Sequence, residues 1–187
     1  MGLDVKICGV KDTLTAFEAH KAGADYIGLV LSRSKRQVSV AQARHMVMAL
    51  PAIRFIAVVR NMNRDDLNEV LTQVPFWGVQ YHGTANFDWI EMVHEAGGRA
   101  IATTLAVGAD MILMDGPEPG QGQTWEWQRP LSNKPVWIAG GLTPHNVAMV
   151  VRTLKPDGVD VSSGVETGGV KDLTKIRQFL GEAKQWQ

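Results

Sequence analysis

Short apolar runs alternate along the chain with segments whose apolar residues recur at helical spacing. The runs are Val5–Ile7, Tyr26–Leu31, Phe55–Val59, Trp77–Val79, Ala100–Thr103, Met111–Met114, Val136–Ala139 and Val159–Val161. Most are continuously apolar rather than alternating, the pattern of strands buried on both faces of a parallel sheet. Between them, Leu67, Val70, Leu71 and Val74 fall at i, i+3, i+4 and i+7, as do Val147, Val150, Val151 and Leu154. Each set draws one apolar stripe along a helix. Leu173, Ile176 and Leu180 give a last amphipathic helix. Start signals agree: Ser39 and Gln42 have capping-box spacing, Asn63 can cap the third helix, and Thr143-Pro144 reads as an N-cap followed by proline at the first helical position.

Eight predicted strands in 187 residues permit two architectures, an open doubly wound sheet and a closed (β/α)8 TIM barrel. Eight favour closure, because so wide an open sheet would usually carry more chain. No Gly-x-Gly-x-x-Gly follows the first strand, which weakens the dinucleotide-binding version of the open sheet. Residues 1–187 read as a single barrel domain with no linker and no low-complexity stretch. One connection breaks the rhythm. A parallel crossover normally takes a dozen or more residues, and between Thr103 and Asp110 only about 20 Å of fully extended chain is available, at roughly 3.4 Å per residue. The helix between strands 5 and 6 is therefore expected to be shortened or missing. Its absence would bare apolar barrel surface that a second copy of the chain, in a homodimer, could cover.

Composition narrows the partners. Lys+Arg and Asp+Glu number 19 each, a formal charge of zero, which argues against nucleic acid and membrane surfaces as partners. The single cysteine, Cys8, cannot form an intramolecular disulfide, so a reducing cytoplasm is the default compartment. The N-terminus has no basic patch followed by an apolar run, and no apolar stretch approaches the roughly 20 residues of a membrane helix.

In a barrel, residues just past each strand's C-terminal end line the functional face. Lys6-Ile7-Cys8-Gly9 places Lys6 and Cys8 on one side of the first strand and Ile7 on the other. An unperturbed thiol titrates near 8.5, close enough to neutrality for proton exchange beside a cation; taken alone, Cys8 fits equally a small core residue. Asp115-Gly116 follows the apolar run Met111–Met114. A carboxyl group at a partly desolvated rim can be kept protonated and act as an acid, although Asp-Gly is also an ordinary turn. The runs Ile138–Pro144 and Asp160–Glu166 both end in small residues whose N–H groups and hydroxyls can surround a phosphate, and they follow strands seven and eight, where barrels often bind one. Arg33, Lys35 and Arg36 follow the second strand, where an arginine could clamp a carboxylate. His82, after the fourth strand, could face the same pocket. The remaining histidines show no metal-ligand spacing.

Taken together, KICG, VQYHG, ILMDG, GQGQTWEW, IAGGLTPHNV and GVDVSSGVETGGVKD closely resemble the phosphoribosylanthranilate isomerase family, in order, from Lys6 to about Phe179. The resemblance implies a (β/α)8 barrel without a cofactor or metal. It also implies an acid–base Amadori rearrangement of N-(5-phosphoribosyl)anthranilate, a small phosphorylated sugar substrate, to 1-(2-carboxyphenylamino)-1-deoxyribulose 5-phosphate in tryptophan biosynthesis. By the same resemblance Cys8 matches the general base, Asp115 the general acid and Arg36 the holder of the anthranilate carboxylate. Gly141, Ser162, Ser163 and Gly164 lie in stretches matching the phosphate site, and His82 is counted with the substrate-binding residues. Three features depart from the family pattern: Gly120-Gln121-Gly122 in place of a Gly-Gly-Thr-Gly loop, Ser34-Lys35-Arg36 in place of Ser-Pro-Arg, and the missing helix between strands 5 and 6.

Overall fold

The computed structural model describes residues 2–103, 106–116 and 126–185. Each of the eight predicted runs overlaps one strand of a closed parallel barrel: β1 (Asp4–Cys8), β2 (Tyr26–Val30), β3 (Arg54–Arg60), β4 (Gly78–His82), β5 (Arg99–Ala102), β6 (Met111–Met114), β7 (Val136–Ile138) and β8 (Gly158–Val161). Closure comes from β8 pairing with β1, from Asp4 opposite Gly158 to Ile7 opposite Val161. Helices α1 (Thr13–Lys21), α2 (Val40–Ala49), α3 (Arg64–Gln73), α4 (Trp89–Glu95), α5 (Val147–Leu154) and α6 (Leu173–Lys184) accompany the strands. A short hairpin, β9 (Glu166–Thr167) with β10 (Val170–Lys171), follows β8. No helix among the described residues is long and apolar enough to cross a membrane.

The continuous apolar runs have the expected physical cause. Alternate residues of each strand face opposite ways, and both faces are covered. Val5, Ile7, Ile27, Leu29, Phe55, Ala57 and Val59 pack outward with Ala16, Ala43, Leu67 and Phe179 of the helices. Residues of the other parity, among them Cys8, Ile56, Val58, Ile101, Leu113 and Trp137, fill the barrel interior. Near the N-terminal end of the barrel, Tyr26 stacks obliquely on Trp77 and Trp137, with ring centroids 4.7 and 5.0 Å away. The mouth at the other end is left open for polar groups.

Two of the predicted caps form. Ser39 Oγ accepts from Gln42 N at 3.1 Å while Gln42 Oε1 accepts from Ser39 N at 2.8 Å, a reciprocal capping box. Asn63 Oδ1 accepts from Asp66 N at 2.8 Å at the start of α3. Thr143-Pro144 does not start α5. That helix begins at Val147 with Asn146 as its N-cap residue, and residues 144–146 are a turn. The Asn146 side chain is engaged elsewhere: Oδ1 accepts from Thr143 N at 2.8 Å and Nδ2 donates to the Gly141 carbonyl at 2.9 Å. Asparagine thus closes the turn after β7 instead of capping the helix.

The connection from β5 to β6 has no helix among its described residues. Asp110 ties it down, accepting from Ala100 N at 2.8 Å and pairing with His94 and Arg99 at 2.8 and 3.1 Å. Lys134 donates to the Ala109 carbonyl across the same turn. The seam between these strands is narrow, with two registered residue pairs against five between β2 and β3. The segment between β6 and β7 also has no helix within 126–135, and Gly120-Gln121-Gly122 lies outside the described residues.

Candidate active site

The strand ends converge on one cavity of about 470 Å³ at the C-terminal mouth of the barrel, within the usual size of small-molecule sites. Its walls include Cys8 from β1, Arg36 from the β2–α2 loop, His82 from β4, Asp115 after β6, Gly141 after β7, and Ser162 with Ser163 after β8. Seven of the eight residues singled out from sequence meet there. The eighth, Gly164, stands one step behind the wall, packed on the Leu142 carbonyl.

Cys8 ends β1 at 8% exposure. Burial pushes its thiol above the ordinary range, and the Lys6 ammonium opposes that rise. Asp115 is half-buried where the apolar strand β6 ends, and its Oδ1 accepts from Gly116 N at 2.8 Å. Burial, reinforced by the negative charge of Asp160, raises its carboxyl to about 6. A thiol and a carboxyl group with separated titrations on two walls of one cavity are the components of a proton-transfer pair.

Beneath them lies a polar network of fully or nearly buried groups. The Lys6 ammonium donates to Asp160 Oδ2 at 2.9 Å and to Gln80 Oε1 at 2.5 Å, and the Gln80 amide nitrogen lies 2.6 Å from His82 Nε2. Because Gln80 Oε1 must accept from the ammonium, its Nε2 is the donor and His82 Nε2 the acceptor. Burial and the nearby Lys6 and Arg60 charges lower His82 to about 4. His82 is therefore neutral near neutrality, with its proton on Nδ1.

Arg36 has a partner that sequence reasoning does not supply. Its Nε and Nη2 donate to Glu166 Oε1 and Oε2 at 2.6 and 2.9 Å, a bidentate pair. Lys171 Nζ donates to the same Oε1 at 2.6 Å and to the Ser162 carbonyl at 3.0 Å. Glu166 and Lys171 face each other across the β9–β10 hairpin, whose Gly168 and Gly169 both adopt positive φ. The signal in the sequence is that Gly-Gly pair, a two-residue hairpin turn with Glu166 and Lys171 one position beyond its Thr167 and Val170 flanks. Gly9 makes room for the arginine: a Cβ there would lie 2.4 Å from Arg36 Cδ.

Burial alone would raise Glu166, but hydrogen bonds from Arg36 and Lys171 outweigh it and hold the carboxyl at about 2. Its stabilising contribution is complete above its unfolded value of 4.5 and is lost as pH falls toward 2. Glu166→Gln is expected to cost about 3 kcal/mol at pH 7, where a buried pair is broken. It should also flatten the fall of melting temperature between pH 4.5 and 2. Thermal melts of both proteins across that range check this; parallel curves would refute it.

The turns after β7 and β8 form the remaining wall. Gly140 and Gly141 adopt positive φ, and Ser162 Oγ donates to the Cys8 carbonyl at 3.1 Å, which links the thiol's strand to the serine pair.

The model of the family N-(5'phosphoribosyl)anthranilate (PRA) isomerase matches residues 5–182. The chain belongs to this family. An N-(5'-phosphoribosyl)anthranilate isomerase from Pseudomonas fluorescens is 40% identical over 194 residues, covering 94% of this chain and 92% of the relative. A crystal structure of phosphoribosyl anthranilate isomerase in complex with reduced 1-(o-carboxyphenylamino)-1-deoxyribulose 5-phosphate superposes with a TM-score of 0.77 at 28% identity. That alignment covers 97% of this chain and 98% of the other. Monomers generated from the dimeric phosphoribosylanthranilate isomerase of Thermotoga maritima superpose with a TM-score of 0.74 at 26% identity, covering 97% and 98%. The (β/α)8 barrel and the isomerase assignment expected from the sequence motifs both hold.

Proposed function

We propose that Cys8 and Asp115 are the base and acid with which this family member isomerises N-(5'-phosphoribosyl)anthranilate to 1-(2-carboxyphenylamino)-1-deoxyribulose 5-phosphate. The isomerisation and its place in tryptophan biosynthesis follow from family membership; the residue roles are the proposal. The observation that carries them is the shared cavity, with thiol, carboxyl group, arginine and the two small-residue turns all on its walls.

Protonated Asp115 gives its proton to the ribose ring oxygen as the C1–O bond breaks, and the nitrogen lone pair forms the iminium. Thiolate Cys8 then takes the C2 proton. The C2–H electron pair becomes the C1=C2 bond, and the iminium pair returns to nitrogen. The enolamine loses its hydroxyl proton and gains one at C1 to give the ketone. Ser162, Ser163 and the backbone around Gly141 and Gly164 hold the phosphate, Arg36 holds the anthranilate carboxylate, and neutral His82 donates from Nδ1 to the sugar. Anchoring both ends of a small phosphorylated sugar fixes C1 and C2 between acid and base.

Residues 1–187 act as one catalytic domain that needs no nucleic acid, membrane or cofactor, and the cytoplasm is its compartment. A homodimer belongs to the same reading. Val107 and Leu131, each essentially fully exposed, lie in the two connections on either side of β6, which carry no described helix, and light scattering at twice 20.5 kDa tests it.

Loss of substrate fluorescence with purified protein tests the reaction. In that assay Arg36→Ala is expected to raise KM by about 10- to 100-fold, the worth of a charge-assisted hydrogen bond. An unchanged KM and kcat would remove Arg36 from the carboxylate site, and an inactive parent protein that still binds the substrate would reduce the chain to a ligand binder.

A further inference from the structure

Lys6 has no task in the chemistry above, yet it is the most unusual residue in the barrel. It is 0% exposed, a condition lysine rarely meets unless paired. A buried ion pair seldom repays its desolvation, and apolar packing of similar volume is often as stable. Stability therefore does not explain a lysine between Val5 and Ile7 in the middle of β1.

The geometry around the sulfur does. Lys6 and Cys8 share the inward face of β1, and Cys8 lies opposite Gly28 on β2. A Cβ built on Gly28 would lie 2.9 Å from Lys6 Cε and 3.0 Å from Cys8 Sγ, so those two atoms stand within about 6 Å of each other around the space that glycine leaves open. The ammonium has three donors. One goes to Asp160 and one to Gln80, and its positive charge favours the Cys8 thiolate.

We propose that Lys6 is a positioning residue for the reaction: Asp160 and Gln80 hold its ammonium beside Sγ of Cys8, where its charge offsets part of the cost of burying the sulfur's proton-accepting, anionic form. This rests on the reading of Cys8 as the base. Other charges also reach the sulfur. Asp160 on β8 opposes the thiolate and Lys171 on β10 favours it, while Arg36, His82 and Asp115 stand on the other walls of the cavity. Lys6 is the strongest of the cationic influences on Cys8. Asp160 both holds the lysine and tempers it, so the two side chains have opposite effects on the thiol.

Cys8 is the only cysteine, so its alkylation by iodoacetamide can be followed against pH without interference, in the full-length protein and without substrate. In Lys6→Met the titration midpoint of alkylation is expected to move up. Because only the thiolate reacts, alkylation at pH 7 should slow about tenfold for every pH unit by which the midpoint rises. In Asp160→Asn it should move down. If Lys6→Met does not fold, the double variant Lys6→Met/Asp160→Asn buries no charge at either position and is read against Asp160→Asn; its midpoint should again be higher. A midpoint unmoved by loss of Lys6 in either background overturns the proposal. If alkylation responds as expected while the alkaline limb of kcat/KM stays put, the lysine's effect on the thiol stands and Cys8 as the base falls.

Discussion

Cys8→Ala and Asp115→Asn are each expected to lower kcat by about 10²–10⁴-fold, the usual contribution of one positioned proton-transfer group, with the barrel still folded. Neither change disturbs the scaffold much. Alanine deletes a single sulfur at the cavity wall, and asparagine keeps the acceptor that Gly116 N uses. The double variant should be little worse than the poorer single one, because groups acting in one sequence of steps are not additive.

The pH profile of the parent enzyme adds a second test. Asp115 titrates at about 6 and Cys8 above its ordinary value. The dominant neutral-pH form is therefore carboxylate with thiol, and the productive form, carboxylic acid with thiolate, is its minor tautomer. The ratio of the two is constant across the intervening pH range, so kcat/KM should be flat there, falling below pH 6 and again above the thiol's titration. The two limbs belong to the pair rather than to either residue. Steady-state fluorescence assays with circular dichroism on each variant decide the matter. Near-parental kcat in either folded variant would remove that residue from the chemistry.

The second large effect is expected at a residue that has no side chain to offer a ligand. Gly164→Ala would put a Cβ 1.8 Å from the Leu142 carbonyl oxygen, 2.9 Å from its carbon and 3.1 Å from Thr143 Cα. All three are backbone atoms, so the two turns must separate rather than a side chain swing aside. Misplacement of about 1 Å can cost 10²-fold in rate, and kcat/KM is expected to fall by about that much. Protection of the fold by inorganic phosphate should disappear with it. Gly181→Ala is the control. It sits in α6 with nothing within 4 Å of its new Cβ, and it should stabilise by about 0.5–1 kcal/mol through helix propensity. Equal phosphate protection in Gly164→Ala and the parent would show that the approach of the two turns is immaterial to anion binding.

The frame of this molecule was legible because both faces of each strand are covered, which writes most strands as largely apolar runs, broken only where Lys6, Gln80 and Asp160 turn inward. Cys8, Asp115, Gly141 and the serine pair were legible because each follows such a run. Their supporting partners were not. Lys6 meets Gln80 and Asp160 across 74 and 154 residues, and Arg36 meets Glu166 across 130; no local pattern encodes pairs that exist only once the barrel closes. Thr143-Pro144 failed for a different reason. The residue pair is a sound helix start, but Asn146 uses its side chain to fold the preceding turn back on itself and moves the helix three residues on.

The narrow seam between β5 and β6 separates the two reactive groups in their freedom of movement. Cys8 leaves a strand stitched to both neighbours by three and four residue pairs, whereas Asp115 leaves one held by two on one side and three on the other, beside a crossover that no described helix braces. Exchange of backbone amides with solvent deuterium should accordingly be faster at β6 than at β1. With the roles proposed above, the acid would stand on the more sparsely paired strand and the base on the more fully paired one.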